Sequence, residues 1–399
     1  MKARKWTASL YFLVPYFFYY LCRYNYPVAL PLLKDEFALS TSQIGLIATV
    51  LTLGYSLGQL INGVLVDRKG PRLMMTIGLL GTMAANLAMG GSNLYTLLVV
   101  AWLVNGYVQA MGYPSTLKYI VNWFKAGERG KQVGYSDALC SVASILVLPL
   151  CGFLAGRWGW RYVFIVPGIL AGLASVVSYA IGKDRPAGTE VPPTNLSYLK
   201  DASRRYRVAL GNWRLVLANC SYGLSQFVRY GMMTWIPMYF FQVSGDSIFK
   251  AATKGSLFQV GGVVGSLFLG WASDLKLFRN RRSLLVAVCM TIAAVAGFSL
   301  GVVPAGIWTV VTLFACGAMI EAVEVPYFLI PNDILGDDMM ATSGGCMNAF
   351  GKLFASFQGV GLAFIIDRLG FGAAFGTSGI IALIGALLVI PSAFAKRKA

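Results

Sequence analysis

Two arginines stand where an apolar chain should carry no charge. Arg229 occupies the middle of Ser225-Gln-Phe-Val-Arg-Tyr-Gly-Met-Met-Thr-Trp-Ile-Pro-Met-Tyr239, and Arg23 lies in a similarly apolar stretch. Each is followed by a tyrosine, Tyr24 or Tyr230, and eight residues on by a proline, Pro31 or Pro237. A cation at bilayer depth costs roughly 3 kcal/mol even on lenient insertion scales, so its presence implies a function or a partner. Guanidinium offers planar, paired donors and keeps its charge when desolvated, which suits it to phosphate or carboxylate oxygens. Four more ionisable residues fall inside apolar segments: Asp137, Glu321, Glu324 and Lys352. A spacing of three places the two glutamates on one helix face. Three chemistries fit these acids: proton uptake coupled to a substrate, binding of the cationic part of a zwitterionic or amine-bearing substrate, or a structural ion pair with Lys352. The chain contains no histidine, so the commonest proton switch is missing.

The elements that must hold these residues are set by composition. With 57% hydrophobic and 12% charged residues over 399 positions, the chain has too little polar surface to cover a soluble globule. Apolar segments long enough to cross about 30 Å of hydrocarbon recur along nearly its whole length. Twelve spans fit, at approximately 8–30, 43–66, 72–92, 95–118, 131–154, 161–181, 213–241, 252–274, 283–302, 306–331, 341–366 and 371–394. The fold class expected is an all-α polytopic membrane protein. A net charge of +17 is spread through short loops, as topogenic charge is, and no nucleic-acid surface is expected. Basic loops alternate by side, which predicts a multi-pass protein of the cell (inner) membrane with both termini cytoplasmic. Lys118 and Arg161, at span ends, reach the interface by snorkelling. All seven cysteines lie in apolar segments without a Cys-x-x-Cys pair and read as small core residues; no metal and no cofactor are expected.

Residues 183–211 are polar and irregular, a linker between an N-terminal bundle (1–182) and a C-terminal one (212–399). The halves repeat each other. Counting back from Asp67 and from Asp274, glycines fall at the same offsets: Gly63, Gly58 and Gly54, then Gly270, Gly265 and Gly261. Both sets are small-xxx-small faces that allow close helix approach. Arg23 and Arg229 lie 44 and 45 residues before those aspartates. A parallel repeat of this kind is a transporter plan, with a midplane site between its halves. Tyr16 and Tyr20 share the Arg23 face by helical spacing, and Tyr55, Tyr113 and Trp235 are further pocket candidates.

Gly63-Val-Leu-Val-Asp-Arg-Lys-Gly-Pro-Arg72 resembles the Gly-x-Leu-x-Asp-Arg-x-Gly-x-Arg loop of the major facilitator superfamily, and Gly270-Trp-Ala-Ser-Asp274 through Arg281 and Arg282 is similar to its degenerate second copy. The resemblance covers the whole chain and implies two six-helix bundles. It assigns Gly63, Asp67, Arg68, Gly70, Arg72, Gly270, Asp274, Arg281 and Arg282 to a charge latch made in one state and broken in another. Within the superfamily, Arg229-Tyr-Gly-x-x-x-Trp235-x-Pro237-x-Tyr239, Tyr16-x-x-x-Tyr20-x-x-Arg23 and Asn105-Gly-Tyr-Val-Gln-Ala-Met-Gly-Tyr-Pro114 resemble the organophosphate:phosphate antiporters. That likeness gives Arg23 and Arg229 the role of binding a phosphoryl group. Gln59 stands where the family has a substrate-binding lysine and Cys140 where it often has a histidine. Lys352, with Asn348 one turn before it, takes a position where the family tends to have a tyrosine. Glu321 and Glu324 fall where it is usually uncharged. The charged spans are those that line the cavity in the superfamily.

The expectation is a monomeric secondary transporter, not an enzyme, that exchanges an organophosphate for inorganic phosphate by alternating access, with Asp137, Glu321 and Glu324 as coupling groups. Two alternatives stand beside it: a proton-coupled symporter of a carboxylate or zwitterion, and a non-transporting membrane sensor. No phosphate-binding Gly-Lys-Ser loop, metal-ligand cluster or nucleophile–base pair points to catalysis.

Overall fold

In lipid every backbone polar group must be satisfied within the chain, and a sequence this apolar achieves that with helices. The computed structural model describes residues 14–185, 197–273, 278, 281–303, 306–335 and 339–394. Every regular element among them is helical: α1 (14–21), α2 (Tyr26–Glu36), α3 (Thr41–Lys69), α4 (Pro71–Gly91), α5 (Tyr95–Gln109), α6 (Gly112–Trp123), α7 (Ala126–Trp158), α8 (Trp160–Ile181), α9 (Ser197–Gly211), α10 (Trp213–Gln242), α11 (Ile248–Ser273), α12 (Arg282–Val302), α13 (Ile307–Ala322), α14 (Glu324–Leu335), α15 (Met340–Ser356) and α16 (Gln358–Val389), closed by a 3-10 turn at Ile390–Phe394. Among the described residues seven helical runs are long and apolar enough to cross a bilayer unaided, and α3, bent by 48° between Gln59 and Ile61, makes an eighth. Pairs α1/α2, α5/α6 and α13/α14 each form one broken rod, α15 continues into α16, and α16 divides at Gly370. The described helices thus make twelve rods, six before α9 and six after it.

Local chemistry sets the joints. Ser40 opens α3 with a capping box: its Oγ accepts from the Gln43 amide at 3.1 Å while Gln43 Oε1 accepts from the Ser40 amide at 2.8 Å. Gly70 then ends α3 at φ +88°, a region open to glycine, and Pro71 starts α4 at its first helical position.

Contacts divide the chain into two units, 1–191 with 240–256 and 192–239 with 257–399. Residues 240–256 group with the first because Gly152 and Gly156 on α7 meet Phe249, Ala252 and Ile248. Inside the first unit α3 lies against α5 so closely that a Cβ on Gly54 would run into the Leu103 carbonyl and one on Gly106 into that of Leu51. In the second unit α11 meets α13 the same way, Gly261 against the Phe314 carbonyl and Gly317 against that of Phe258. The glycine stripes therefore pack two equivalent helix pairs.

Candidate functional site

The first unit builds its site where the opening rod breaks. Residues 22–25 leave helical geometry between α1 and α2, and Arg23, only 7% exposed, lies in that break. A break strands backbone carbonyls, and here amide side chains meet one of them. Asn105 Nδ2 donates to the Cys22 carbonyl at 3.0 Å and Asn86 Nδ2 to the same oxygen at 3.5 Å. Asn25 Nδ2 bonds Asn86 Oδ1 at 2.9 Å and the Val163 carbonyl of α8 at 3.1 Å. Gln109 extends this network: its Nε2 donates to Asn105 Oδ1 at 3.3 Å and its Oε1 accepts Arg23 Nε at 2.7 Å. The guanidinium carbon sits 4.6 Å from the Tyr55 ring centroid, 5.2 Å from Tyr20 and 6.0 Å from Tyr24. Aromatic faces stabilise a cation by about 0.5–2 kcal/mol each while leaving its edge donors directed elsewhere.

Tyr16 packs against both Tyr20 and Tyr113, with ring centroids 5.5 and 6.4 Å apart, in a buried cluster that includes Cys140. Of the expected tyrosines, Tyr20 on α1 and Tyr55 on α3 face the Arg23 guanidinium, while Tyr16 packs on Tyr20 and Tyr113 of α6 packs on Tyr16. Gln59 stands one turn beyond Tyr55 on α3, and its Nε2 lacks a hydrogen-bond partner among the described residues. Asp137 is exposed on α7, three residues before Cys140. Gln109, Asn105, Asn86 and Asn25 were not among the expected site residues; amide side chains inside apolar spans, two of them one turn apart, were the available signal.

In the second unit Arg229 lies on α10, where its guanidinium is gripped by two carboxylates. Nε and Nη2 form a bidentate pair with Glu321, at 2.7 and 2.5 Å, and Nη1 reaches Glu324 Oε2 at 2.6 Å. The glutamates flank Val323, the residue that separates α13 from α14, so the break turns both acids onto one guanidinium. Glu321 also fits against Gly262 of α11, where a Cβ would come within 2.6 Å of its own. Tyr222, two turns before Arg229, donates its hydroxyl hydrogen to Glu324 Oε1 at 3.2 Å. Lys352 Nζ donates to the Tyr230 hydroxyl at 2.8 Å, and Asn348 stands half-buried one turn before it on α15. Trp235 is 1% exposed, with an indole N–H that has no partner among the described residues. Tyr222 and Tyr230 are the participants that sequence reasoning passed over, since aromatic residues are too common here to single out two.

The glycine-and-charge loop between α3 and α4 is anchored within the first unit. Asp67 pairs with Lys118 of α6 at 2.6 Å. Arg72 Nε donates to the Tyr179 carbonyl at 3.0 Å, with its guanidinium 4.2 Å from the Tyr179 ring centroid, and its amide donates to Asp184 at 2.8 Å. Arg68 is exposed, and a Cβ on Gly63 would meet nothing within 4 Å. In the second copy Arg282 Nη1 pairs with Asp333 at 2.8 Å and Arg281 is exposed; Gly270 belongs to α11, and Asp274 lies outside the described residues.

A repeated pair of helical units, each placing an arginine among polar side chains inside a bilayer-spanning frame, Arg23 buried and Arg229 16% exposed, defines a membrane transport protein and not an enzyme. The profile of the Major Facilitator Superfamily matches residues 12–359, and the chain belongs to that superfamily. Within it the chain resembles the organophosphate:phosphate antiporters. It is 25% identical to a probable hexose phosphate transport protein of Chlamydia pneumoniae, over 98% of this chain and 92% of that one. It is also 25% identical to the glycerol-3-phosphate transporter of Bacillus subtilis, over 90% and 85%, and 26% identical to the membrane sensor protein UhpC of Salmonella typhimurium, over 94% and 88%. Among solved structures it is similar in fold to a bacterial homologue of the human lysosomal transporter Spinster, inward-facing and occupied, with a TM-score of 0.79 at 14% identity over 98% of this chain and 95% of that one.

Proposed function

We propose that the protein is a secondary transporter of a small organic phosphate, exchanged for inorganic phosphate as the bundles 1–182 and 212–399 alternate access across the cell membrane, both termini cytoplasmic. The observation that carries this reading is Arg23: buried at a helix break, with Nε fixed by Gln109 and its plane oriented by Tyr20, Tyr24 and Tyr55. Such a guanidinium is preorganised, and a phosphoryl group can bind it with little further ordering of the side chain. Arg229 supplies the second cation once the phosphoryl group displaces a carboxylate from it. The relatives named for hexose phosphate and glycerol-3-phosphate support a phosphate ester as the class of cargo. The test is counterflow in proteoliposomes loaded with inorganic phosphate. Arg23→Lys should nearly abolish exchange, because a single ammonium cannot reproduce the paired donors; near-normal exchange by that variant overturns the assignment.

The grip of Glu321 and Glu324 on Arg229 favours a second reading, proton-coupled symport, in which a proton on one acid frees the guanidinium for an anion. A pH gradient then drives accumulation, and Glu324→Gln retains exchange but no longer accumulates substrate. The similarity to a membrane sensor supports a third, which is distinguished by ligand binding without any flux.

A further inference from the structure

The charges around Arg229 do not suit a simple phosphate dianion. Among the described residues the cluster contains two cations, Arg229 and Lys352, and two carboxylates, Glu321 and Glu324. A dianion entering there meets no net positive charge. It also does not meet the guanidinium first, because the Arg229 side chain is 16% exposed and that of Glu321 11%, whereas that of Glu324 is 39%. Within the ion-paired trio, the most open group is a carboxylate. Each Glu324 oxygen accepts one described hydrogen bond, from Arg229 or from Tyr222, and a carboxylate oxygen has room for a second.

A second, independent feature points the same way. Gln226 lies one turn after Tyr222 and one turn before Tyr230 on α10, between the two tyrosines that bond Glu324 and Lys352. It is 2% exposed, its Cγ packs 3.2 Å from where a Gly351 Cβ would stand, and its Oε1 has no hydrogen-bond partner among the described residues. Buried acceptors are nearly always satisfied, so one left over a single turn from Tyr222, whose hydroxyl bonds Glu324, calls for a donor. A primary ammonium supplies three donors and one positive charge.

We propose that Glu324, with Gln226, forms an ammonium-binding subsite, and that the substrate is a zwitterion: an organic phosphate or phosphonate that also carries a primary amine. The proposal rests on the organic-phosphate reading above for its anionic end only. Binding such a molecule adds a cation at Glu324 while its phosphoryl group falls to the arginines, so each end meets opposite charge and the cluster is not left with an uncompensated carboxylate.

The experiment measures ligand-induced thermal stabilisation and counterflow inhibition of the full chain, at one pH and without a gradient, using 2-aminoethyl phosphate, 2-hydroxyethyl phosphate and 3-aminopropanoate. The wild-type protein should bind the amino phosphate about tenfold or more tightly than the hydroxy analogue, the discrimination expected of one charge-assisted hydrogen bond. Glu324→Gln should bring the ratio close to one. Equal affinity of the two phosphates for the wild-type protein, or a ratio unchanged in Glu324→Gln, overturns the proposal, and the wild-type ratio decides alone if the variant does not fold. Should the amino carboxylate bind in a Glu324-dependent way while both phosphates fail, the ammonium subsite stands and the organic-phosphate reading falls.

Discussion

Removing Arg229 should strand Glu321 rather than simply delete a contact. In the native arrangement Glu321 is bidentate to Arg229, with 11% of its side chain exposed. Arg229→Met keeps the length and apolar stem of the side chain but leaves that carboxylate without its counterion. Breaking a buried pair from one side costs about 3–5 kcal/mol, because the remaining charge stays desolvated. Glu324 contributes little to this figure: it is 39% exposed, so water takes over part of what the guanidinium supplied. For a unit of this size about 2–4 °C accompanies each kcal/mol, so the melting temperature in detergent should fall by about 6–20 °C. Arg229→Met combined with Glu321→Met removes both charges and should recover most of the loss, since well-packed apolar replacements of an ion pair are often neutral. The four melting temperatures of that double-mutant cycle decide the matter. A single variant that melts like wild type, or a double variant that melts no higher than the single, refutes the reasoning that the two side chains form one ion pair.

Two other perturbations test the frame. Gly54→Ala and Gly261→Ala each place a Cβ in a facing carbonyl, of Leu103 or Phe314, and should destabilise alike by about 1–3 kcal/mol, while Gly63→Ala, with nothing within 4 Å, should leave the melting temperature unchanged; a large difference between the first two would deny the repeat its common packing. At the end of α2, outside the spans, burial pushes the Glu36 carboxyl up, but hydrogen bonds from Arg161 and Trp160 outweigh it and hold the group below its ordinary value. A depressed carboxyl stabilises the fold above its unfolded value of about 4.3 and loses that contribution as pH falls through the folded value. Wild type should therefore melt slightly above Glu36→Gln at neutral pH, by less than about 1 kcal/mol for a half-exposed pair, and the difference should vanish in acid. An advantage that grew as pH fell would contradict the assignment.

How much of this was legible in the sequence depends on whether a feature acts locally. The glycine stripes could be read because close helix approach demands the same small residues at the same offsets in both halves, and Gly54 and Gly261 do meet equivalent carbonyls. The arginines could be read because a membrane charge is expensive wherever it points. Which group meets which arginine could not, since Gln109 bonds Arg23 at a helix break that no propensity marks, and Glu321, though singled out as an intramembrane acid, reaches Arg229 across 92 residues of chain. What the partners change is the symmetry. Two arginines that look interchangeable along the chain, each with a tyrosine after it and a proline eight residues on, stand in opposite surroundings: Arg23 among phenols and an amide, Arg229 between two carboxylates. A purely anionic ligand such as free phosphate gains nothing from the two carboxylates. A substrate that carries a cationic end as well as an anionic one would gain from them, which is why the carboxylates beside Arg229 carry the proposal of a zwitterionic cargo.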